Sequence, residues 1–296
     1  MTSELMLQYF FSGLTMGAIY AIVAVGFNII YNSTGIINFA QGEFVMLGGM
    51  IACSCIKIMP LFPAILVAVV ITAILGAILE LVLIRNLKNP TVLQMIVITI
   101  GLSIIIREAA LHVWDEKVRA LPFFTGTEVS SIVIFGAHIS PQVLWVVGVS
   151  ALIVVILNLF FKFSLVGQAM RACSANRISA SLCGINIKNM VTFSFVLSAA
   201  IGALAGTIVS PLTQTSYDMG TELAIKGFTV AIFGGLGNST AAVLAGLLLG
   251  LLESYSISII PMAYTDAIAI IILLGVLFFK PSGLFVSKEI GALKEF

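Results

Sequence analysis

A chain of 296 residues with 60% hydrophobic and only 9% charged residues, and a mean hydropathy of +1.18, lies far from the roughly 25% charge of soluble domains. That composition predicts a polytopic membrane protein. A net charge of +1, with no basic stripe interleaved with aromatics, sets aside nucleic acid as a partner, and the four cysteines and two histidines fall at no metal-ligand spacing.

A helix needs about 20 apolar residues to cross the hydrocarbon layer. The first uncharged run, Leu5 to Gly42, has no Lys or Arg ahead of it and far exceeds a signal peptide's apolar region of about 7 to 15 residues, so it is expected to stay in the mature chain. It yields candidate spans at 8–31 and 40–58, the first carrying Gly13-x-x-x-Gly17, a spacing that lets helix backbones approach in lipid. Between and within them cluster Asn28, Asn32, Asn38, Gln41 and Glu43. So many amide and carboxyl groups beside apolar runs need partners: they either cap helices and satisfy one another or line a polar pathway. Spans at 62–84 and 91–113 follow. Glu80, one turn from the end of its span, is expected to reach the interface or Arg85. Arg107 and Glu108 are neighbours in sequence and are not expected to pair on one helix face. The 114–140 loop mixes Asp115, Glu116 and Glu128 with Lys117 and Arg119, and a fifth span occupies 141–161.

The polar segment 162–189 then interrupts the apolar pattern, and its charges, Lys162, Arg171, Arg177 and Lys188, are all basic. After a span at 190–209, with Gly202-x-x-x-Gly206, comes a Pro-interrupted polar approach of Pro211, Gln214, Tyr217 and Asp218. The next segment, 222–236, is short, which predicts a re-entrant or broken helix. Its Glu222 and Lys226 have the i, i+4 order that permits an intrahelical ion pair. Gly234-Gly235-Leu236-Gly237-Asn238 closes it, either as a plain turn between spans or as part of a gate; with no preceding strand and no Gly-Lys dipeptide, it is not a phosphate loop. Spans at 240–259, with Gly246-x-x-x-Gly250, and 262–279 complete the chain, Asp266 falling in the first turn of the last, where the helix dipole favours a carboxylate.

The expected fold is therefore all-α: a polytopic membrane bundle of eight or nine spans in a single domain covering 1–296. Nine spans with an external N-terminus place Arg85 and Lys88, the 162–189 segment, and Lys280, Lys288 and Lys294 together on the cytoplasmic side. Eight would send one chain end to the other face. The sequons at Asn32 and Asn238 then face the cytoplasm and are discounted. No H-E-x-x-H, G-x-S-x-G or nucleotide-binding pattern occurs, so the chain is not expected to be an enzyme, and uphill transport would need an ion gradient or a partner.

Four stretches carry a resemblance. The run GLTMGAIYAIVAVGFNIIYNSTGIINFAQGEFVMLGGMIA resembles the opening of permease subunits of bacterial branched-chain amino-acid ABC importers, KGFTVAIFGGLGNSTAAVLAGLLLGLLES is similar to their C-terminal signature, and KPSGLF fits their final short motif. Between them, RACSANRISASLCGINIKNMVTFSFVLSAAIGALAG is similar to the family's cytoplasmic segment and following span. The resemblance implies that 162–189 holds a coupling helix for a separate ATPase. The family's E-A-A-x-x-x-G pattern falls on Ile178, Ser179, Ala180 and Gly184, with Ile178 in place of Glu; Arg171 and Asn176 flank it. It also implies a second homologous permease, two cytoplasmic ATPases that bind ATP and Mg, an external solute-binding protein, an amino-acid substrate, the bacterial inner membrane and no cofactor on this chain. The candidate pathway or gate comprises Asn28, Asn38, Gln41 and Glu43; Gln214, Tyr217, Glu222 and Lys226; and Gly234, Gly235 and Gly237. A urea or short-amide importer permease is the nearest alternative. An ion-coupled secondary transporter or channel is the alternative from another class.

Overall fold

The computed structural model describes residues 3–87, 91–127, 129–134, 136–258, 261, 264–280 and 283–284. Lys88, Glu128, Lys288 and Lys294, and all of KPSGLF except Lys280, Gly283 and Leu284, lie outside the described residues, as does the side chain of Asp266. The helices are α1 (Ser3–Thr34), α2 (Gln41–Cys55), α3 (Leu61–Leu79, continued by a π-helical turn to Ile84), α4 (Val92–Trp114), α5 (Pro141–Phe163), α6 (Leu165–Ala175), α7 (Arg177–Leu182), α8 (Ile187–Thr213), α9 (Met219–Gly234), α10 (Ser239–Ser256) and α11 (Thr265–Phe279). A hairpin of β1 (Ile132–Ile134) and β2 (Ala137–Ile139) in the 114–140 loop was not anticipated.

Among the described residues, six helices are long and apolar enough to cross a membrane: α1, α3 with its π turn, α4, α5, α8 and α10. The chain is thus an all-α, multi-pass membrane protein. Helices α2, α9 and α11 have 15, 16 and 15 residues, about 22 to 24 Å at 1.5 Å per residue. Burial sorts the bundle into layers. The apolar window of α1 is 89% buried and that of α8 72%, against 22%, 17% and 28% for α3, α4 and α5, so α1, α2 and α8 form the interior while α3, α4 and α5 turn Ile, Leu and Val outward to lipid.

Small residues set how close the inner helices come. A Cβ on Gly17 would lie 2.7 Å from the Gly246 carbonyl oxygen, and Gly250 presses in turn on the backbone of Gly13 and Gly17. The two small-residue repeats read from the sequence on α1 and α10 therefore face each other. Gly17→Leu is expected to force these backbones apart and cost about 3 kcal/mol or more, at the upper end of overpacking penalties; a melting temperature equal to wild type in detergent would contradict this packing.

The chain reverses so that two ends of the bundle differ in character. At one end meet the C-terminus of α1, the end of α3, the 162–189 segment, the start of α8, the α9–α10 turn and Lys280, as shown by Glu80 with Thr192 (2.6 Å), Asn28 with Gly237 (3.0 Å) and Leu284 with Phe233 (2.9 Å). Arg85, Lys162, Arg171, Arg177, Lys188 and Lys280 all belong to this basic end. At the far end Trp114 donates to Ser54 (2.7 Å), Arg119 and Thr215 exchange backbone bonds, and Ser254 donates to the Tyr9 carbonyl (2.7 Å). The start of α1 and the end of α11 consequently lie at opposite ends.

Two local expectations are corrected. Glu80 is buried and accepts from Thr192 instead of reaching Arg85 or the interface. The segment expected to be broken, 222–236, is helical without interruption as far as Gly234, within α9; α9 contains no proline, and its internal Gly227 packs against Val23 of α1. The interruption precedes it, at residues 214–218, where Gln214 adopts φ +61°. Helix α2 is the element that starts deep. Gln41 is bonded to Ser198, which lies about 16 Å along α8 from Ile187, so the chain after α1 runs back into the bundle before α2 begins. Such non-helical backbone is tolerated at depth because protein surrounds it.

Candidate functional site

The 162–189 segment is mostly helical. Helix α7 is capped at its start by Asn176, whose side chain accepts from the Ser179 amide (3.0 Å), and closed by bonds from Ile185 to the Ala180 carbonyl (3.1 Å) and from Gly184 to the Ser181 carbonyl (3.0 Å). This is a Schellman motif, and Gly184 occupies its left-handed position at φ +82°. Ala180 is buried beneath the helix, whereas Ile178 and Leu182, one turn apart, are 76% and 84% exposed. Arg171 is exposed on α6 and Ser179 on α7. An apolar pair displayed on a short capped helix is a surface suited to another protein.

Behind α7 the segment is tied to α1. Arg177 donates to the Ser33 carbonyl, Ser33 and Ser194 share a short hydroxyl hydrogen bond, and Ser174 donates to Asn32 Oδ1 (3.2 Å). Asn32 Nδ2 donates to the Gly237 carbonyl (3.1 Å) and the Gly237 amide to Asn28 Oδ1 (3.0 Å). Gly235 and Gly237 both have positive φ, at +104° and +91°, and Leu284 bonds to Phe233 beside them. Asn28 and Gly234, Gly235 and Gly237 thus meet at the basic end, in contact with the 162–189 segment.

At the other end of α9 a cavity of about 580 Å³ opens between α1, α4, α8, α9 and α11. Gln214, Glu222 and Lys226 line it, together with Arg107, Asp218 and Thr221. Lys226 Nζ donates to Glu222 Oε1 (2.9 Å), the pair expected from the sequence, and also to Glu253 Oε1 of α10 (2.8 Å); it stands 5.4 Å from the centre of the Tyr20 ring. The side chains of Lys226 and Glu253 are 5% and 11% exposed and that of Glu222 is 60% exposed. Among the described residues, two carboxylates, Glu222 and Glu253, bond the one ammonium of Lys226, while Arg107, whose contact with Glu108 at 3.9 Å is too long for a hydrogen bond, brings a further positive charge to the cavity wall. Although the two are sequence neighbours, their side chains do approach. Tyr217 is not part of this lining: it packs against the apolar cluster around Met50 and Leu121.

Halfway along, Gln41 exchanges bonds with Ser198, whose hydroxyl also lies 2.8 Å from the Gly26 carbonyl, and Glu43 Oε1 accepts from Ser103 (2.8 Å). Glu43 Oε2 and Asn38 Nδ2 are buried with no hydrogen-bond partner among the described residues. Apart from Tyr217, the candidate residues therefore gather around α9: Gln214, Glu222 and Lys226 at the cavity, Glu43 against Gly220 in the first turn of α9, Gln41 beside Gly26 and Ser198, and Asn28 with the glycines at the basic turn. Glu253, Ser174 and Ser198 were missed. A lone carboxylate in the otherwise uncharged α10 was the available signal for Glu253; nothing in the sequence paired the two serines with their partners.

A model of the family described as branched-chain amino acid transport system, permease component, matches residues 9–277. The chain belongs to that family. This permease is 32% identical over 301 aligned residues to the high-affinity branched-chain amino acid transport system permease protein BraD of Pseudomonas aeruginosa, covering 96% of this chain and 97% of BraD. It is 30% identical to the corresponding LivH protein of Escherichia coli K12, over 96% of each chain, and 26% identical to a probable LivH of Methanocaldococcus jannaschii, over 89% and 87%. The resemblance read from the sequence motifs is confirmed, and those motifs converge in space: GFNIIYNSTG, FGGLGNST and the Gly283–Leu284 part of KPSGLF pack together at the α9–α10 turn.

Proposed function

We propose that this permease moves branched-chain amino acids into the bacterial cytoplasm as the membrane subunit of an ATP-driven importer in the inner membrane. The observation that carries the reading is the family match across nearly the whole chain, joined to a capped, exposed helix in a chain with no nucleotide-binding motif. ATP and Mg are bound by two partner ATPases that dock on α7, a second homologous permease completes the membrane core, and an external binding protein delivers the substrate. The chain crosses nine times with its N-terminus outside. Helices α2, α9 and α11 serve as the short crossings, and the basic end faces the cytoplasm in keeping with the excess of Lys and Arg there.

In this reading the 580 Å³ cavity is the outer vestibule. Glu222, Asp218 and Arg107 supply charges of both signs for an amino acid's two termini, while Ile19, Val209 and Leu223 supply apolar wall for its side chain. Uptake of labelled leucine by the reconstituted complex, chased with excess isoleucine, valine or urea, tests the substrate class. Competition by the two amino acids and none by urea is expected; competition by urea alone would replace the substrate with a short amide.

Orientation has its own test. Cys183 is exposed beside Gly184, whereas Cys173 is buried, and burial pushes its thiol pKa up, which slows reaction further. An impermeant maleimide is expected to label Cys183 in inside-out vesicles, to spare it in right-side-out spheroplasts, and to react more slowly once ATPases are bound. Equal labelling from outside would invert the topology.

A further inference from the structure

Asn32, in the last turn of α1, is held at both ends of its carboxamide. The Gly237 carbonyl can only accept, so Nδ2 must face it (3.1 Å), which leaves Oδ1 to accept from Ser174 of α6 (3.2 Å). One turn earlier Asn28 Oδ1 accepts from the Gly237 amide (3.0 Å), so the backbone donor and the backbone acceptor of Gly237 are both bound to one face of α1. Immediately after Asn32, the Ser33 carbonyl accepts from Arg177 of α7. Three positions at the end of α1 thus join the exposed α6–α7 segment to the turn that ends α9. From that turn α9 runs for 16 unbroken residues to the cavity, where Glu222 and Lys226 sit in its first two turns.

We propose that Asn32 is a positioning residue that fastens the ATPase-docking segment to the α9–α10 turn, so that movement of α6 and α7 is carried along α9 to the charged cavity. The link rests on the functional reading above only in requiring that ATPases dock on α7. A plain capping role accounts for less: Asn32 bonds no backbone group of its own helix and bridges two elements far apart in sequence, α6 and the α9–α10 turn. The path is a chain of direct hydrogen bonds ending on a stiff helix, the kind of connection through which two sites bias one element.

The experiment uses the complete complex in nanodiscs. Asn32→Asp keeps the oxygen that accepts from Ser174 and removes the donor to Gly237; Ser174→Ala removes the other connection; Asn32→Ala removes both. Each is scored for co-purified ATPase, leucine taken up per ATP hydrolysed, and the ATP-dependent change in maleimide reactivity of Thr221→Cys at the cavity, with the native cysteines replaced. ATPase association and hydrolysis are expected to persist, while uptake per ATP falls by about tenfold or more and the ATP response at position 221 disappears. Wild-type coupling in the variants overturns the link, as does a wild-type complex that binds ATPases yet shows no ATP response at position 221. A wild-type chain that fails to retain ATPases instead counts against the functional reading. Ser174 is half-buried at the surface, so its variant decides the matter if Asn32→Ala does not accumulate.

Discussion

Lys226→Met is expected to destabilise the permease by about 3–5 kcal/mol, the usual penalty for removing one partner of a buried ion pair. The loss comes mainly from Glu253: its side chain is 11% exposed, it faces Lys226 at 2.8 Å, and its second oxygen has no hydrogen-bond partner among the described residues. Glu222 contributes less, because at 60% exposure solvent replaces the ammonium. Adding Glu253→Gln removes the stranded charge, so the double variant is expected to regain most of the stability while uptake stays low. Thermal unfolding in detergent checks the first part, and an unshifted midpoint for Lys226→Met would mean the triad is not closed in the protein. Recovery of both stability and uptake in the double variant would assign the cluster to packing alone.

Disrupting α7 is expected to have the largest effect on assembly. Gly184→Pro replaces a residue at φ +82° with one fixed near −65° and removes the amide that bonds the Ser181 carbonyl, so the Schellman closure cannot form. The helix has only six residues and one buried side chain, Ala180, so little else holds it. Ile178→Glu with Leu182→Glu leaves the backbone intact and places two charges on the exposed apolar pair; at hot-spot values of about 2 kcal/mol each, ATPase binding weakens by roughly three orders of magnitude. In both variants the permease is expected to reach the membrane at wild-type levels and to lose its ATPases on purification. Wild-type recovery of ATPase with the double glutamate variant would move the docking surface off α7.

Much of this molecule is legible in its sequence because lipid leaves few options. Hydropathy fixes the apolar helices, one-sided Lys and Arg mark the basic end, and small residues four apart mark faces of close helix packing, though not that the α1 face meets that of α10. The Glu222–Lys226 pair follows from helical spacing alone. What escapes is everything set by packing between distant segments. Glu253 joins Lys226 only because α10 lies beside α9. The depth at which α2 begins depends on Gln41 meeting Ser198, 157 residues away. The shortness of 222–236 suggested a break, yet length alone does not distinguish an interrupted helix from a short one whose preceding connection dips into the bundle. Tyr217 read as part of a polar approach, but its ring had an apolar cluster to fill.

The most direct test of the account is uptake of labelled leucine into proteoliposomes containing this permease alone, and containing it with its partner permease, ATPases, binding protein and ATP. Uptake confined to the complete, ATP-supplied system is the expected result. Robust uptake by the permease alone, driven by an ion gradient or by diffusion, would contradict it.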